Sequence, residues 1–151
     1  MQVFLIRHAE ATAAGERGLS PHGRAQAAAL GERLRWHDCE PTTIWTSPLA
    51  RARETAQIVR AQLGGEAEVE TLSALARDGD PRAVVDAIRA LPPSSLVVLV
   101  GHEPGLSLVG AALTRAAHFP SLARGQAARI IDGRLRWRFA WNADAPIATS
   151  T

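Results

Sequence analysis

The chain has 151 residues, of which 46% are hydrophobic and 21% charged, and its formal net charge is +2. This composition is typical of a soluble globular domain and argues against an intrinsically disordered chain. No apolar run approaches the roughly 18 residues that a membrane-spanning helix needs, and the N-terminus lacks the basic region of a signal peptide. We therefore predict a single domain over residues 1–151, located in the cytoplasm and without a membrane partner.

The basic side chains other than histidine are all arginine, because the sequence contains no lysine. They are interleaved with Asp and Glu rather than massed, so nucleic-acid binding is not favoured. Cys39 is the only cysteine, which excludes an internal disulfide and every zinc site built from several cysteines. The run His37-Asp38-Cys39 has metal-binding side chains, but a partly buried thiol at a helix end is the interpretation we favour.

The first predicted elements are a strand and a helix. Residues 3–6 are four consecutive apolar residues, which is typical of a buried strand in a parallel sheet. That strand ends abruptly at Arg7 and His8. Ser20 is followed by a proline, a pattern that predicts the N-cap and first position of a helix over residues 21–36.

A second strand and helix follow. The composition of residues 43–46 predicts a short strand. Ser47-Pro48 predicts the start of the next helix, with Arg51 in its first turn, and Gly64-Gly65 predicts its end. Residues 66–71 alternate charged and apolar positions, which predicts a third and more peripheral strand.

The same alternation continues in the next part of the chain. Pro81 predicts the start of a third helix, and Pro92-Pro93 ends it. Residues 95–100 predict a second strongly buried strand, which leads into Gly101-His102. Pro104-Gly105 opens a fourth helix.

The C-terminal part predicts two strands, over residues 127–131 and 135–141. Asp132-Gly133 between them is a strong signal for a two-residue hairpin turn. Residues 143–151 are expected to be frayed. Strands that alternate with helices predict an α/β fold. We expect a three-layer α/β/α sandwich with a mostly parallel sheet and an antiparallel C-terminal edge hairpin.

Polar side chains follow three of these predicted strands directly. They are Arg7-His8, then Ser47 and Arg51, then Gly101-His102. The carboxyl ends of parallel strands meet at one edge of a sheet, and ligands bind in the crevice outside them. Arginine binds phosphate oxygens in a bidentate manner, and nearby helix N-termini add backbone donors. The sequence therefore predicts a pocket for a phosphoryl group.

Four sequence motifs identify a family. They are Leu5-Ile6-Arg7-His8-Ala9-Glu10, Leu19-Ser20-Pro21-His22-Gly23-Arg24, Thr46-Ser47-Pro48-Leu49-Ala50-Arg51-Ala52-Arg53-Glu54-Thr55-Ala56, and Val100-Gly101-His102-Glu103-Pro104-Gly105-Leu106-Ser107. In this order they resemble the histidine phosphatase superfamily, also called phosphoglycerate-mutase-like. Within it, the chain resembles the small SixA-type phosphohistidine phosphatases.

The resemblance implies a role for each motif residue. His8 is implied as the nucleophile that becomes phosphorylated, with Arg7, Arg51 and His102 as the other members of the phosphate pocket. An imidazole attacks only when it is neutral, and we expect the neighbouring guanidiniums to keep His8 neutral. This chemistry requires no cofactor and no metal, and the sequence has no evident carboxylate cluster for magnesium.

The family usually has a carboxylic acid that protonates the leaving group, and its identity in this sequence is open. Asp80 is the preferred candidate over Asp78, because small relatives often carry Asp-Pro at this point. The alternative is that Asp80 is only the N-cap of the helix that begins at the next residue. Glu10 and Glu103 are weaker candidates.

The sequence predicts the type of reaction but leaves several substrates open. The leading expectation is a metal-independent phosphatase that acts on phosphohistidine in a partner protein, because the chain lacks long insertions that would close over a small molecule. A broad phosphomonoesterase that acts on small phosphorylated substrates is the alternative. A phosphate-binding module without turnover is a third, less favoured possibility.

Overall fold

The computed structural model describes residues 1–13, 18–143 and 145–148. Its strands and helices follow one another in this order: β1 (Gln2–Arg7), α1 (Pro21–Trp36), β2 (Thr43–Thr46), α2 (Ala50–Leu63), β3 (Val69–Thr71), α3 (Pro81–Arg89), β4 (Leu96–Gly101), α4 (Gly105–Thr114), β5 (Gln126–Ile131), β6 (Arg134–Ala140) and β7 (Ile147–Ala148). A single 3-10 turn, Ser73–Leu75, precedes α3. None of the helices in the described ranges is long and apolar enough to cross a membrane.

One sheet contains all seven of these strands, in the order β3-β2-β4-β1-β5-β6-β7. The pairs β2–β3, β2–β4 and β1–β4 are parallel, whereas β5, β6 and β7 continue the sheet in antiparallel fashion. The predicted α/β fold and the C-terminal hairpin are therefore confirmed. The expectation that residues 143–151 are frayed is wrong for β7, which pairs with Trp137 and Arg138 and forms the outer edge.

Helices cover both faces of the sheet because adjacent side chains of a strand point in opposite directions. Val3 and Leu5 of β1 belong to a core with residues of α3 and α4, whereas Phe4 and Ile6 belong to a second core with residues of α1 and α2. Strands β1 and β4 are buried on both faces, which explains their uninterrupted apolar sequences. The result is the predicted three-layer arrangement.

The helix starts agree with the sequence for α1, α3 and α4 and differ for α2. Ser20 caps α1 by accepting a hydrogen bond from Gly23 N at 2.9 Å, and Asp80 caps α3. Helix α2 begins at Ala50 rather than at Ser47-Pro48, and no side chain caps it. The physical reason is that Ser47 is fully buried and its hydroxyl has other partners.

The turn between β5 and β6 forms as the sequence predicts. Asp132 and Gly133 have φ angles of 49° and 76°, the left-handed conformations that a type I′ turn requires at both central positions. Asp132 also accepts a hydrogen bond from the N-terminal ammonium of Met1 at 2.8 Å. This contact ties the hairpin to the start of β1.

Candidate active site

The carboxyl ends of β1, β2 and β4 meet at one edge of the sheet, as predicted. The backbone N–H of His8 donates to the Gly101 carbonyl at 3.1 Å, and that of Ser47 donates to the Val100 carbonyl at 2.9 Å. These bonds extend the parallel pairing of β1 and β2 with β4 by one residue beyond the ends of β1 and β2. Residues that are about 100 positions apart in the sequence are thereby fixed beside one another.

Two buried histidines form the base of the site. The rings of His8 and His102 have centroids 5.1 Å apart, and each residue is 7% exposed. His8 Nδ1 lies 2.7 Å from the carbonyl oxygen of Ala9. Because a carbonyl only accepts, Nδ1 carries the proton. The neutral ring therefore has its lone pair on Nε2.

The second histidine is held by β2. His102 Nε2 lies 2.8 Å from the hydroxyl oxygen of Ser47, which also accepts a hydrogen bond from Leu49 N at 3.2 Å. The Ser47 hydroxyl thus orients both His102 and the backbone that leads into α2. This contact explains why the serine does not cap that helix.

Both histidines are neutral at physiological pH. Burial lowers the pKa of His8 to about 4, against a smaller opposing effect of its hydrogen bond to Ala9, and Arg51, Arg7 and Arg124 lower it further. Burial also lowers the pKa of His102 to about 4, with added contributions from His8 and nearby arginines. The expected neutrality of His8 is therefore confirmed. Its main cause is burial rather than the guanidiniums.

A cavity of about 610 Å³ lies in front of the two rings. Its charged lining consists of four arginines and two glutamates: Arg7, Arg51, Arg77, Arg124, Glu10 and Glu103. All four predicted pocket residues, His8, His102, Arg7 and Arg51, line this cavity. Such a concentration of guanidinium groups is suited to binding an oxyanion.

Sequence reasoning missed Arg77 and Arg124. Both lie in connecting segments that match none of the four motifs. The topology contains a signal for Arg124, because β5 runs antiparallel to β1 and its start therefore lies against the end of that strand. No comparable sequence signal exists for Arg77.

Asp80 does not line the cavity. It is exposed, its Oδ1 accepts a hydrogen bond from Arg82 N at 2.9 Å, and it borders a separate groove between α3 and α4. The structure thus gives Asp80 the helix-capping role that the sequence left open as its alternative. Asp78 is exposed and does not line the cavity either.

Glu103 and Glu10 do line the cavity, but Glu103 is engaged in backbone contacts. Its carboxylate accepts hydrogen bonds from Ser107 N and Leu122 N, each at 2.8 Å, and a short one from the Ser107 hydroxyl. Glu10 Oε1 accepts a hydrogen bond from the Ser20 hydroxyl at 2.9 Å. Glu10 is thus the less constrained of the two carboxylates.

The segment before β5 packs against the end of β1 and supports Arg7. The Leu122 carbonyl accepts a hydrogen bond from Arg7 Nη1 at 3.1 Å. Gly125 N donates to the carbonyl oxygens of both Arg7 and His8 at 3.3 Å. Because Glu103 binds Leu122 N, it connects the end of β4 to the contact that orients Arg7.

Thr55 makes a comparable connection between β1 and α2. Its buried hydroxyl accepts a hydrogen bond from Ala9 N at 3.1 Å and donates one to the Arg51 carbonyl at 2.8 Å. The residue after His8 and the helical turn that bears Arg51 are therefore fixed relative to each other.

Comparison with known proteins identifies the family. The profile of the histidine phosphatase superfamily (branch 1) matches residues 3–76. An uncharacterized protein from Picosynechococcus sp. is 33% identical over 114 residues, which cover 70% of this chain and 68% of that protein.

Solved structures of SixA proteins are similar over nearly the whole chain. The protein histidine phosphatase SixA complexed with tungstate has a TM-score of 0.87 and 24% identity, over 93% of this chain and 97% of that one. A putative phosphohistidine phosphatase SixA from Nakamurella multipartitia has a TM-score of 0.68 and 28% identity, over 93% and 86%. This chain therefore belongs to the histidine phosphatase superfamily and is a phosphatase, and within that superfamily it resembles the SixA-type branch.

Proposed function

We propose that this protein hydrolyses phosphohistidine in a partner protein, without a metal ion, through a covalent intermediate on His8. The observation that carries the proposal is the hydrogen bond from His8 Nδ1 to the Ala9 carbonyl. It leaves the lone pair on Nε2, and the low pKa of about 4 leaves that nitrogen unprotonated at pH 7. A neutral, oriented imidazole at the base of an arginine-lined cavity is a competent nucleophile toward phosphorus.

The reaction proceeds in two balanced steps. In the first, His8 Nε2 attacks phosphorus, the P–N bond of the substrate breaks, and the phosphoryl group transfers to His8. In the second, water attacks phosphorus, the new P–N bond breaks, and dihydrogen phosphate and neutral His8 are released. Division into two transfers is ordinary covalent catalysis.

Arg7 and Arg51 are proposed to stabilise the negative charge on the transferred phosphoryl oxygens. Arg7 Nη1 is held by the Leu122 carbonyl, whereas its buried Nε has no hydrogen-bond acceptor among the described residues. An oxyanion supplies such an acceptor. His102, neutral and fixed by Ser47, completes the proposed pocket.

Guanidinium groups take the place of a metal in this proposal. No group of three His, Cys, Asp or Glu side chains in the described ranges is arranged to hold a metal ion. Arg7 and Arg51, which line the cavity, are proposed to provide the positive charge that phosphoryl transfer needs.

The cleavage of a P–N bond is favoured by the state of the carboxylates. An alkoxide leaving group is strongly basic and benefits from a positioned acid. Imidazole has a pKa of only about 6.5, and it departs neutral when its second nitrogen is already protonated. Glu103 is occupied by three donors, and Asp80 caps α3 outside the cavity. Similarity to SixA, described as a protein histidine phosphatase, also supports a P–N substrate.

One observation favours a second candidate, hydrolysis of small phosphate monoesters. Glu10 lines the cavity, and among the described residues only one of its carboxylate oxygens accepts a hydrogen bond, from Ser20. A carboxylic acid at that position is able to protonate an alkoxide. Glu10 then has the role that the sequence assigned first to Asp80.

A substrate panel tests the proposal. We expect kcat/KM for a histidine-phosphorylated protein to exceed that for alkyl phosphates by at least about 100-fold, and Glu10→Gln to change the P–N reaction less than about tenfold. A chelator is expected to leave both rates intact. Faster ester hydrolysis that Glu10→Gln abolishes would establish the monoesterase instead. A requirement for added divalent metal would overturn the metal-free reaction.

A further inference from the structure

The cavity contains more positive charge than one phosphoryl group requires. Arg7 and Arg51 are only partly exposed, and they belong to the strand and helix that frame His8. Arg77 and Arg124 are exposed and come from two separate connecting segments. The additional pair therefore needs its own explanation.

Arg77 and Arg124 reach the same cavity from different segments, Arg77 from the segment before α3 and Arg124 from the segment before β5. The charge of Arg124 acts on the pKa of His8, and that of Arg77 acts on the pKa of His102. Neither appears among the groups that shift the other histidine. An anionic ligand bound in front of His8 therefore shares one cavity with both guanidinium groups.

The backbones that carry these two arginines are fixed. A Cβ atom at Gly79 would lie 2.1 Å from the Ala74 carbonyl oxygen, so the Arg77 segment is tightly closed on itself. Gly125, which follows Arg124, has φ of 71° and donates its N–H to the carbonyls of Arg7 and His8. Both arginines are thus attached to backbone turns that are already ordered, which favours binding of a ligand.

The two side chains are not used by the protein itself. Within the described ranges, neither Arg77 nor Arg124 forms a hydrogen bond or an ion pair. Among the described residues, neither carboxylate of the lining pairs with these arginines: Glu103 accepts three hydrogen bonds from other residues, and Glu10 accepts one from Ser20. The positive charges of Arg77 and Arg124 are therefore available to a ligand.

We propose that Arg77 and Arg124 form a second anion subsite, which selects substrates that carry another negatively charged group beside the phosphoryl group. This inference rests on the proposed function and specifies its substrate class. In a protein substrate the second group is an Asp or Glu side chain close to the phosphohistidine. In a small phosphorylated acid it is the carboxylate.

Matched phosphohistidine peptides test the subsite. One peptide has Asp and Glu beside the phosphohistidine, and the other has Asn and Gln at the same positions. We expect wild-type protein to favour the acidic peptide by about tenfold in kcat/KM, mainly through KM, and less so at high salt. The double variant Arg77→Gln/Arg124→Gln is expected to bring that ratio close to one.

Arg134→Gln is the matched control. Arg134 is exposed on β6 and does not line the cavity, so its loss removes the same charge and is expected to retain the preference. Equal use by the wild type of both peptides, together with equal use of a small phosphorylated carboxylic acid and its amide, overturns the subsite. A preference that survives in the double variant overturns it as well. Thermal unfolding of each variant verifies that the fold is intact.

Two further arms separate the possible outcomes. A small phosphorylated carboxylic acid is compared with its amide. Discrimination in this pair, without discrimination between the peptides, retains the subsite but assigns it to small substrates.

Phosphoramidate, which has a P–N bond and no second anion, tests the proposed function separately. Wild-type protein that hydrolyses neither phosphoramidate nor the peptides refutes the P–N activity rather than the subsite.

Discussion

His8 combines burial with a defined proton position, and both properties follow from its backbone setting. The Gly101 carbonyl binds its N–H, and the Ala9 carbonyl binds its Nδ1. Desolvation then lowers its pKa to about 4, because the charged imidazolium loses the most when water is removed. His8 is therefore neutral without any neighbouring base, as its proposed role as nucleophile requires.

The titration of His8 and His102 tests this account of the residue. Since both have a pKa of about 4, both rings should stay neutral as the pH falls from 8 to 5 and become charged only near pH 4. NMR titration of the ring resonances measures both histidines, and a midpoint near 6.5 for His8 would contradict its desolvation.

Replacement of the arginines nearest the strand ends should lower catalytic activity strongly. Arg7→Ala and Arg51→Ala are each expected to lower kcat/KM by roughly 100- to 1,000-fold, as loss of one donor to a developing oxyanion does. Arg53→Ala is the control, because Arg53 is exposed on α2 and does not line the cavity. Steady-state kinetics decides this prediction, and equal small losses for all three variants would remove the assigned roles.

At the scale of elements, the site depends on contacts between strand ends and the segment before β5. Glu103 binds Leu122 N, and the Leu122 carbonyl in turn binds Arg7. We therefore expect Glu103 to act on the site through Arg7, as a positioning residue.

A double-mutant cycle tests that indirect role. Glu103→Gln removes one charged acceptor and is expected to lower kcat/KM by about tenfold in wild-type protein, but to have little further effect after Arg7→Ala. Glu32→Gln on the exposed surface of α1 is the matched control. Equal losses in both backgrounds would mean that Glu103 does not act through Arg7.

The elements also explain which parts of the site sequence patterns predict. Strand β1 and strand β4 are continuous apolar runs, so their ends at Arg7 and His102 are recognisable. The placement of Arg77 depends on the closed turn at Gly79, which leaves no periodic pattern in the sequence. The resemblance to small relatives with Asp-Pro favours Asp80 as the acid, although the same two residues are also typical of a helix cap.

At the scale of the whole molecule, fold class was predictable because β/α alternation fixes the layers. The edge strand β7 was not predictable, because a strand of two residues, Ile147–Ala148, shows no periodicity in the sequence. The cause of histidine neutrality was also inaccessible from sequence alone. It depends on how deeply two distant strand ends are buried once the sheet has formed.

Burial of two neutral histidines should make stability pH-dependent. Each has a pKa near 4 in the folded protein and about 6.5 when unfolded. The unfolded state therefore binds more protons below pH 6.5, and stability falls as pH decreases. Each histidine is expected to lower the free energy of unfolding by about 2 kcal/mol as the pH falls from 7 to 5.

Denaturant unfolding in phosphate-free buffer measures this effect. His102→Gln lacks one of the two titrating groups, so its stability should decline less than that of the wild type over the same pH range. Comparison of the two slopes cancels the carboxylates that they share. Parallel slopes would show that burial of His102 does not oppose its protonation.

Capture of the phosphoenzyme is the most direct test of the central claim that His8 is the nucleophile. The protein is mixed with a phosphohistidine substrate, quenched in base after a few milliseconds, and analysed by mass spectrometry. We expect an acid-labile, base-stable phosphoryl group on His8, attached to Nε2 because Nδ1 donates to the Ala9 carbonyl. His8→Asn should not be labelled, whereas His22→Asn should be. Phosphate found on any other residue, or turnover by His8→Asn, would contradict the account.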